Sequence, residues 1–129
     1  MAEPIVFITH FRVKDGNIGA IKDLARDVTD HLRVEKPHTV LFLSFMDEAA
    51  GTLSFLHAFP DAEAMNLHFE GADQRSRAAY EFLQPAGWEV YGRPSDTAID
   101  VLRQAAESAG VAMTQHPELV AGFLRLASD

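Results

Sequence analysis

Six histidines and no cysteine bound the chemistry open to this chain. Without thiols there can be no disulfide, thiolate metal site or cysteine nucleophile. Histidine titrates near neutrality, so a slightly shifted imidazole can take a proton from a weak acid at cellular pH. His68 stands in "FPDAEAMNLHFEG", Phe59 to Gly71. At about 100° per residue, Ala62, Ala64, Met65, Leu67 and Phe69 share one helical arc, and Glu63, Asn66 and Glu70 the opposite one. His68 falls near the middle of the apolar arc, where it is either a core residue held by one hydrogen bond or a group lining a pocket. His57, in "TLSFLHAF", faces either a pocket or the outer side of a sheet. Phe7, Phe11, Phe55, Phe59, Phe82 and Trp88 can form an aromatic pocket wall or plain core. Arg77 and Tyr80, one helical turn apart, can anchor a polar ligand edge or belong to a solvated face. No HxH, HxxxH or HxxEH spacing occurs, and His10, His57 and His68 come from separate elements, so no metal site is expected.

The elements that must position these groups are carried by 129 residues, 47% of them hydrophobic, which suits one domain. Eleven Lys and Arg against nineteen Asp and Glu give a net charge of -8. With no basic run, this disfavours nucleic acid and anionic membrane as partners. The start, "MAEPIVFITHFRV", lacks the basic and continuous apolar regions of a signal peptide, and no apolar run approaches the roughly 20 residues of a membrane span. A soluble, cytoplasmic protein is expected.

"IVFITHFRV", Ile5 to Val13, reads as a strand with Ile5, Phe7, Thr9, Phe11 and Val13 on one face. After the "KDGN" turn, Ile18, Ile21, Leu24, Ala25, Val28 and Leu32 recur at helical spacing, with Asn17 placed to cap the first turn. "TVLFLSFM" and "TLSFLHAF" flank "DEAAG" and read as a hairpin. Asp61 is placed to cap a helix interrupted at Gly71, and Asp73 to cap a second segment reaching Leu83. "WEVYG", Trp88 to Gly92, reads as a fourth strand.

Strand, helix, strand, strand, helix, strand is the split βαβ order of a ferredoxin-like α+β fold, with an antiparallel sheet and the first strand central. Helices would cover one sheet face, yet the hairpin strands are apolar on both: Val40, Phe42 and Met46 on one, Leu41, Leu43 and Phe45 on the other. A second copy of the sheet is the expected cover, hence a homodimer. Residues 94–129 extend this unit of residues 1–93. "SDTAIDVLRQAAESAG" reads as a helix capped by Ser95 and stopped at Gly110, and "VAMTQHPELVAGFLRL" as two short strands around His116 and Pro117. The extension either packs on its own domain or is a swapped arm that pairs with a partner's sheet edge.

The passage "LSFLHAFPDAEAMNLHFEG" resembles the antibiotic biosynthesis monooxygenase family. Its members run a strand into a helix with a pattern like apolar-Glu-x-Trp-x-Asp/Ser-x-x-Ala-x-x-x-His. Asp61, Ala64 and His68 match; His57 stands at the usual Glu and Phe59 at the usual Trp. The resemblance extends from Ile5 to about Tyr91 and includes the "VKDG" turn. It implies a dimeric α+β barrel in which two sheets face each other and each monomer holds a small-molecule pocket between sheet and helices. It also implies oxidation of a small aromatic, quinol or polyketide-like substrate with no bound cofactor. In the haem-degrading branch a strand Asn, a helix Trp and a following His fall at Thr9, His68 and Arg77; none is kept, so haem is not implied. A cofactor-independent oxygenase needs a dry aromatic pocket, a group that takes the substrate hydroxyl proton, and donors that hold the anion. His68 and His57 are the candidate catalytic residues, and Phe7, Thr9, Phe11, Phe59, Arg77 and Tyr80 the candidate substrate-binding ones. The departures at positions 57 and 59 leave open a non-catalytic dimeric module of the same fold.

Overall fold

β-Branched and aromatic residues run unbroken through Ile5–Val13, and this segment forms β1, the middle strand of a five-stranded sheet. The computed structural model describes residues 3–125. β3 (Thr52–Phe59) and β4 (Leu83–Tyr91) flank β1, both antiparallel to it. β2 (Leu41–Asp47) closes the hairpin with β3 at one edge, and β5 (Met113–His116) lies parallel to β4 at the other. The order β2-β3-β1-β4-β5, with α1 (Ile18–Glu35), α2 (Ala62–Phe69) and α3 (Ala72–Tyr80), is the ferredoxin-like α+β arrangement. α4 (Asp96–Ala109) is the crossover that the parallel pairing of β4 and β5 requires.

Period-two alternation sorts the side chains. In register across β2, β3, β1 and β4 run Phe42, His57, Phe7 and Val90, and one row along Ser44, Phe55, Thr9 and Trp88. These rows face the helices. One core cluster gathers Ile5, Phe7, Phe59, Met65, Trp88 and Leu102; a second gathers Phe11, Ile21, Leu53 and Leu83. On β1, Phe7 belongs to the first, Phe11 to the second, and half-buried Thr9 lies between them. On the other face Leu41, Leu43 and Phe45 are exposed, Phe45 by 60%.

Several local expectations are corrected. The Asn17 side chain does not cap α1; its amide donates back to the carbonyls of Lys14 (3.3 Å) and Asp15 (3.0 Å), closing the turn instead. Gly71, at φ 79°, starts α3 only two residues after α2 ends, so Asp73 sits within the first turn rather than at the cap. There its charge still complements the helix dipole. α3 stops at Tyr80, and β4 begins at Leu83, five residues before Trp88. Pro85 is tolerated because this stretch of β4 has β1 on one side only and because the pairing slips here: His10 faces Gly87 while Phe11 faces Pro85. The C-terminal segment forms one strand, not two. Beyond Pro117 the described residues have no regular structure, since no neighbouring strand is there to take up their backbone groups; Leu126, the last residue of the second expected strand, lies outside the described residues. α4 puts Leu102 and Ala106 into the first core cluster.

Candidate functional site

Asp61 accepts a hydrogen bond from the Ala64 amide (2.8 Å) and sets the pitch of α2, so that Ala64, Met65 and His68 are buried; Leu67, assigned by sequence to the same arc, is 36% exposed. His57 comes to the same place from the sheet. Pairing with Phe7 and Phe42 turns its ring to the helix-covered face, where it stacks on Phe7 (5.2 Å) and meets Phe42 edge on (5.1 Å). The two imidazoles are 5.1 Å apart, edge to face.

The hydrogen bonds of these rings define their chemistry. His57 Nδ1 lies 3.0 Å from the Phe7 carbonyl, which can only accept, so Nδ1 carries the proton and Nε2 the lone pair. His68 Nδ1 is hydrogen-bonded to the Thr39 hydroxyl at 2.8 Å. Burial pushes His57 down to about 4, opposed by its bond to Phe7 and helped by the Arg75 charge. Burial, then His57, Arg75 and Lys36, push His68 down to about 2. Both imidazoles are neutral at pH 7.

They border a cavity of about 1040 Å³ between sheet and helices. Its floor is Phe7, Thr9, Phe11, Phe42, Phe55 and Trp88. α1 contributes Leu24, Val28 and Leu32, while Ala98, Val101, Leu102 and Ala105 of α4 close another side. Arg75, Arg77 and Tyr80 line it from α3. The size suits a small polycyclic molecule, since ligand pockets run to roughly 300–1,000 Å³.

Of the residues singled out by sequence, His57, His68, Phe7, Thr9, Phe11, Arg77 and Tyr80 are thus brought together around one cavity. Phe59 is not at its wall: it is fully buried beneath His68, ring centroids 5.1 Å apart, and acts as core. Its place at the last position of β3, opposite Ile5, puts it under the start of α2 rather than in the open space. Phe82 likewise packs in the second core cluster. Sequence reasoning passed over Phe42, which alternation alone places opposite the exposed Leu41 and Leu43, and Arg75, which nothing local marks. Among the described residues no group of three or more His, Asp or Glu is placed to hold a metal ion, and no helix is long and apolar enough to cross a membrane.

The fold defines a class: the chain has the antibiotic biosynthesis monooxygenase-like fold, an α+β domain. Among solved structures it is similar to MupZ from Pseudomonas fluorescens, with TM-score 0.70 and 15% identity over 97% of this chain and 91% of that one. It is similar also to SnoaB, a cofactor-independent oxygenase from Streptomyces nogalater (TM-score 0.56, 13% identity, 73% of this chain and 96% of that one). A third similar structure is an antibiotic biosynthesis monooxygenase (TM-score 0.55, 20% identity, 67% and 92% of the two chains). No protein-family model and no curated protein matches the sequence.

Proposed function

We propose that this protein is a cofactor-independent monooxygenase acting on a small hydroxylated aromatic, quinol or polyketide-like substrate. The observation that carries this reading is the pair of neutral imidazoles, His57 and His68, bordering a cavity floored by aromatic rings. The His57 Nε2 lone pair accepts the proton of a substrate hydroxyl. The resulting enolate is rich in electrons at the ring carbon across from it, and that carbon bonds dioxygen to give a peroxide. Loss of the remaining proton from this carbon then breaks the O–O bond, leaving a carbonyl and releasing water. For an anthrone the balance is one CH₂ and one O₂ converted to one C=O and one H₂O, with both electron pairs drawn from the substrate. No cofactor is needed.

Oxygen uptake with hydroxyanthrones and quinols tests this. Uptake lost in His57→Ala supports it, and no turnover of any member of the panel removes it. A second reading, a non-catalytic small-ligand module, is favoured by one observation: imidazoles held near 4 and 2 are weak proton acceptors. Tight ligand binding without uptake is its signature.

The same reading takes the protein as a homodimer. Leu41, Leu43 and Phe45 form an exposed apolar row on the face away from the helices, and a second sheet is the cover of matching shape.

A further inference from the structure

We propose that Arg75 makes the cavity a site for an anion: the ligand is an acidic hydroxyaromatic that gives up its hydroxyl proton in the site, with the resulting charged oxygen set against the Arg75 guanidinium. This rests on reading the cavity as an oxygenase site and names the ionisation state of its substrate.

Arg75 reaches back across the Gly71 turn to the end of α2, where Nη2 donates to the His68 carbonyl (2.6 Å) and Nη1 to the Glu70 carbonyl (3.1 Å). Those two bonds use two of the five N–H groups of a guanidinium. No carboxylate lies within ion-pair distance of it among the described residues. Arg75 is half-buried and lines the cavity, and burial presses its pKa down, as expected of a cation deprived of water without a counter-ion.

The surrounding groups do not supply the missing charge. His57 on β3 and His68 on α2 are neutral, and burial raises Tyr80 on α3, so its phenol keeps its proton at pH 7. Lys36, bonded to the Leu67 carbonyl at 2.7 Å, and exposed Arg77 add positive charge. Glu70 and Asp73 also line the cavity, but both are exposed to solvent and neither is paired with Arg75, so water screens their charge. A field that opposes a second cation on the imidazoles favours an oxyanion between them. The competing account has Arg75 only capping the carbonyls of α2, which would leave the cavity indifferent to ligand charge.

Alizarin, a dihydroxyanthraquinone whose visible spectrum reports its ionisation, separates the two. Bound to the protein it should ionise at least one pH unit below its free value, equivalent to about a tenfold preference for the anion. Arg75→Gln should abolish that shift, and Arg75→Lys, which keeps the charge without the planar fork, should retain part of it. The proposal is overturned if alizarin does not bind, if the bound dye titrates at its free pH or above, or if both variants keep the full shift. Should the Gln variant fail to fold, an undiminished shift in the Lys variant overturns it alone. A shift without oxygen uptake keeps the anion site and removes the oxygenase reading; uptake without a shift does the reverse.

Discussion

His57 and His68 meet edge to face with ring centroids 5.1 Å apart, one carried by β3 and the other by α2. Each is held below its ordinary 6.5, first by burial and then, for His68, by its neighbour. Because both folded values lie below the unfolded one, the stability is fully present above pH 6.5. Below that, the unfolded chain takes up protons that the folded chain refuses, so stability falls towards pH 4. The slope is at most about 1.4 kcal/mol per pH unit for each histidine. Urea unfolding from pH 7.5 to 4.5 measures it, and His57→Gln with His68→Gln should flatten the curve. Stability independent of pH over that window would show that the pair is not buried neutral.

His68→Phe keeps a ring in the cavity wall but leaves the Thr39 hydroxyl without its 2.8 Å partner. The expected loss is about 1–2 kcal/mol. Adding Thr39→Val should restore most of it, because removing both polar partners is nearly neutral, while binding of a hydroxyaromatic stays lost. Destabilisation with binding intact would mean that His68 only ties α2 to the segment before β2.

Phe45, at 60% exposure, and Leu43, at 43%, stand out from the edge strand β2 on the face away from the helices. Sedimentation equilibrium should give a dimer at micromolar concentration, and Leu43→Lys with Phe45→Lys should give a folded monomer whose cavity still binds ligand. Obligate interfaces commonly bury more than about 2,000 Å² in total. A wild-type monomer at that concentration refutes the dimer.

Truncation after Arg93 removes Leu102 and Ala106 from the core and the Leu102 carbonyl from Trp88 Nε1 (3.3 Å). Deleting one buried Leu side chain alone costs about 2–5 kcal/mol. Thermal unfolding should therefore fall sharply or lose cooperativity; an unchanged melting curve would mean that α4 does not belong to the folded unit.

Features set by neighbours along the chain were legible in the sequence. β1 runs from Ile5 to Val13 because its residues favour extended backbone, and α2 starts at Asp61 because a carboxylate there meets the Ala64 amide. The order of elements was likewise enough for the antiparallel arrangement of the first four strands, but not for a fifth strand parallel to β4. Other features were decided only when distant segments met. Alternation says that His57 and Phe42 share a direction with Phe7 only once β2, β3 and β1 are in register. Pro85 reads as a break along the chain, and the one-sided pairing of β4 at that point lets the strand begin before it. Phe59 has the residue type of a pocket wall, but its position under α2 makes it core. Arg75 looks like any cation on a polar helix until the turn at Gly71 lets its side chain reach the carbonyls of His68 and Glu70 beside the cavity. Local backbone preference and capping act over a few residues and are written in the sequence; burial, and with it the charge state of a histidine or an arginine, depends on what the rest of the chain places around it.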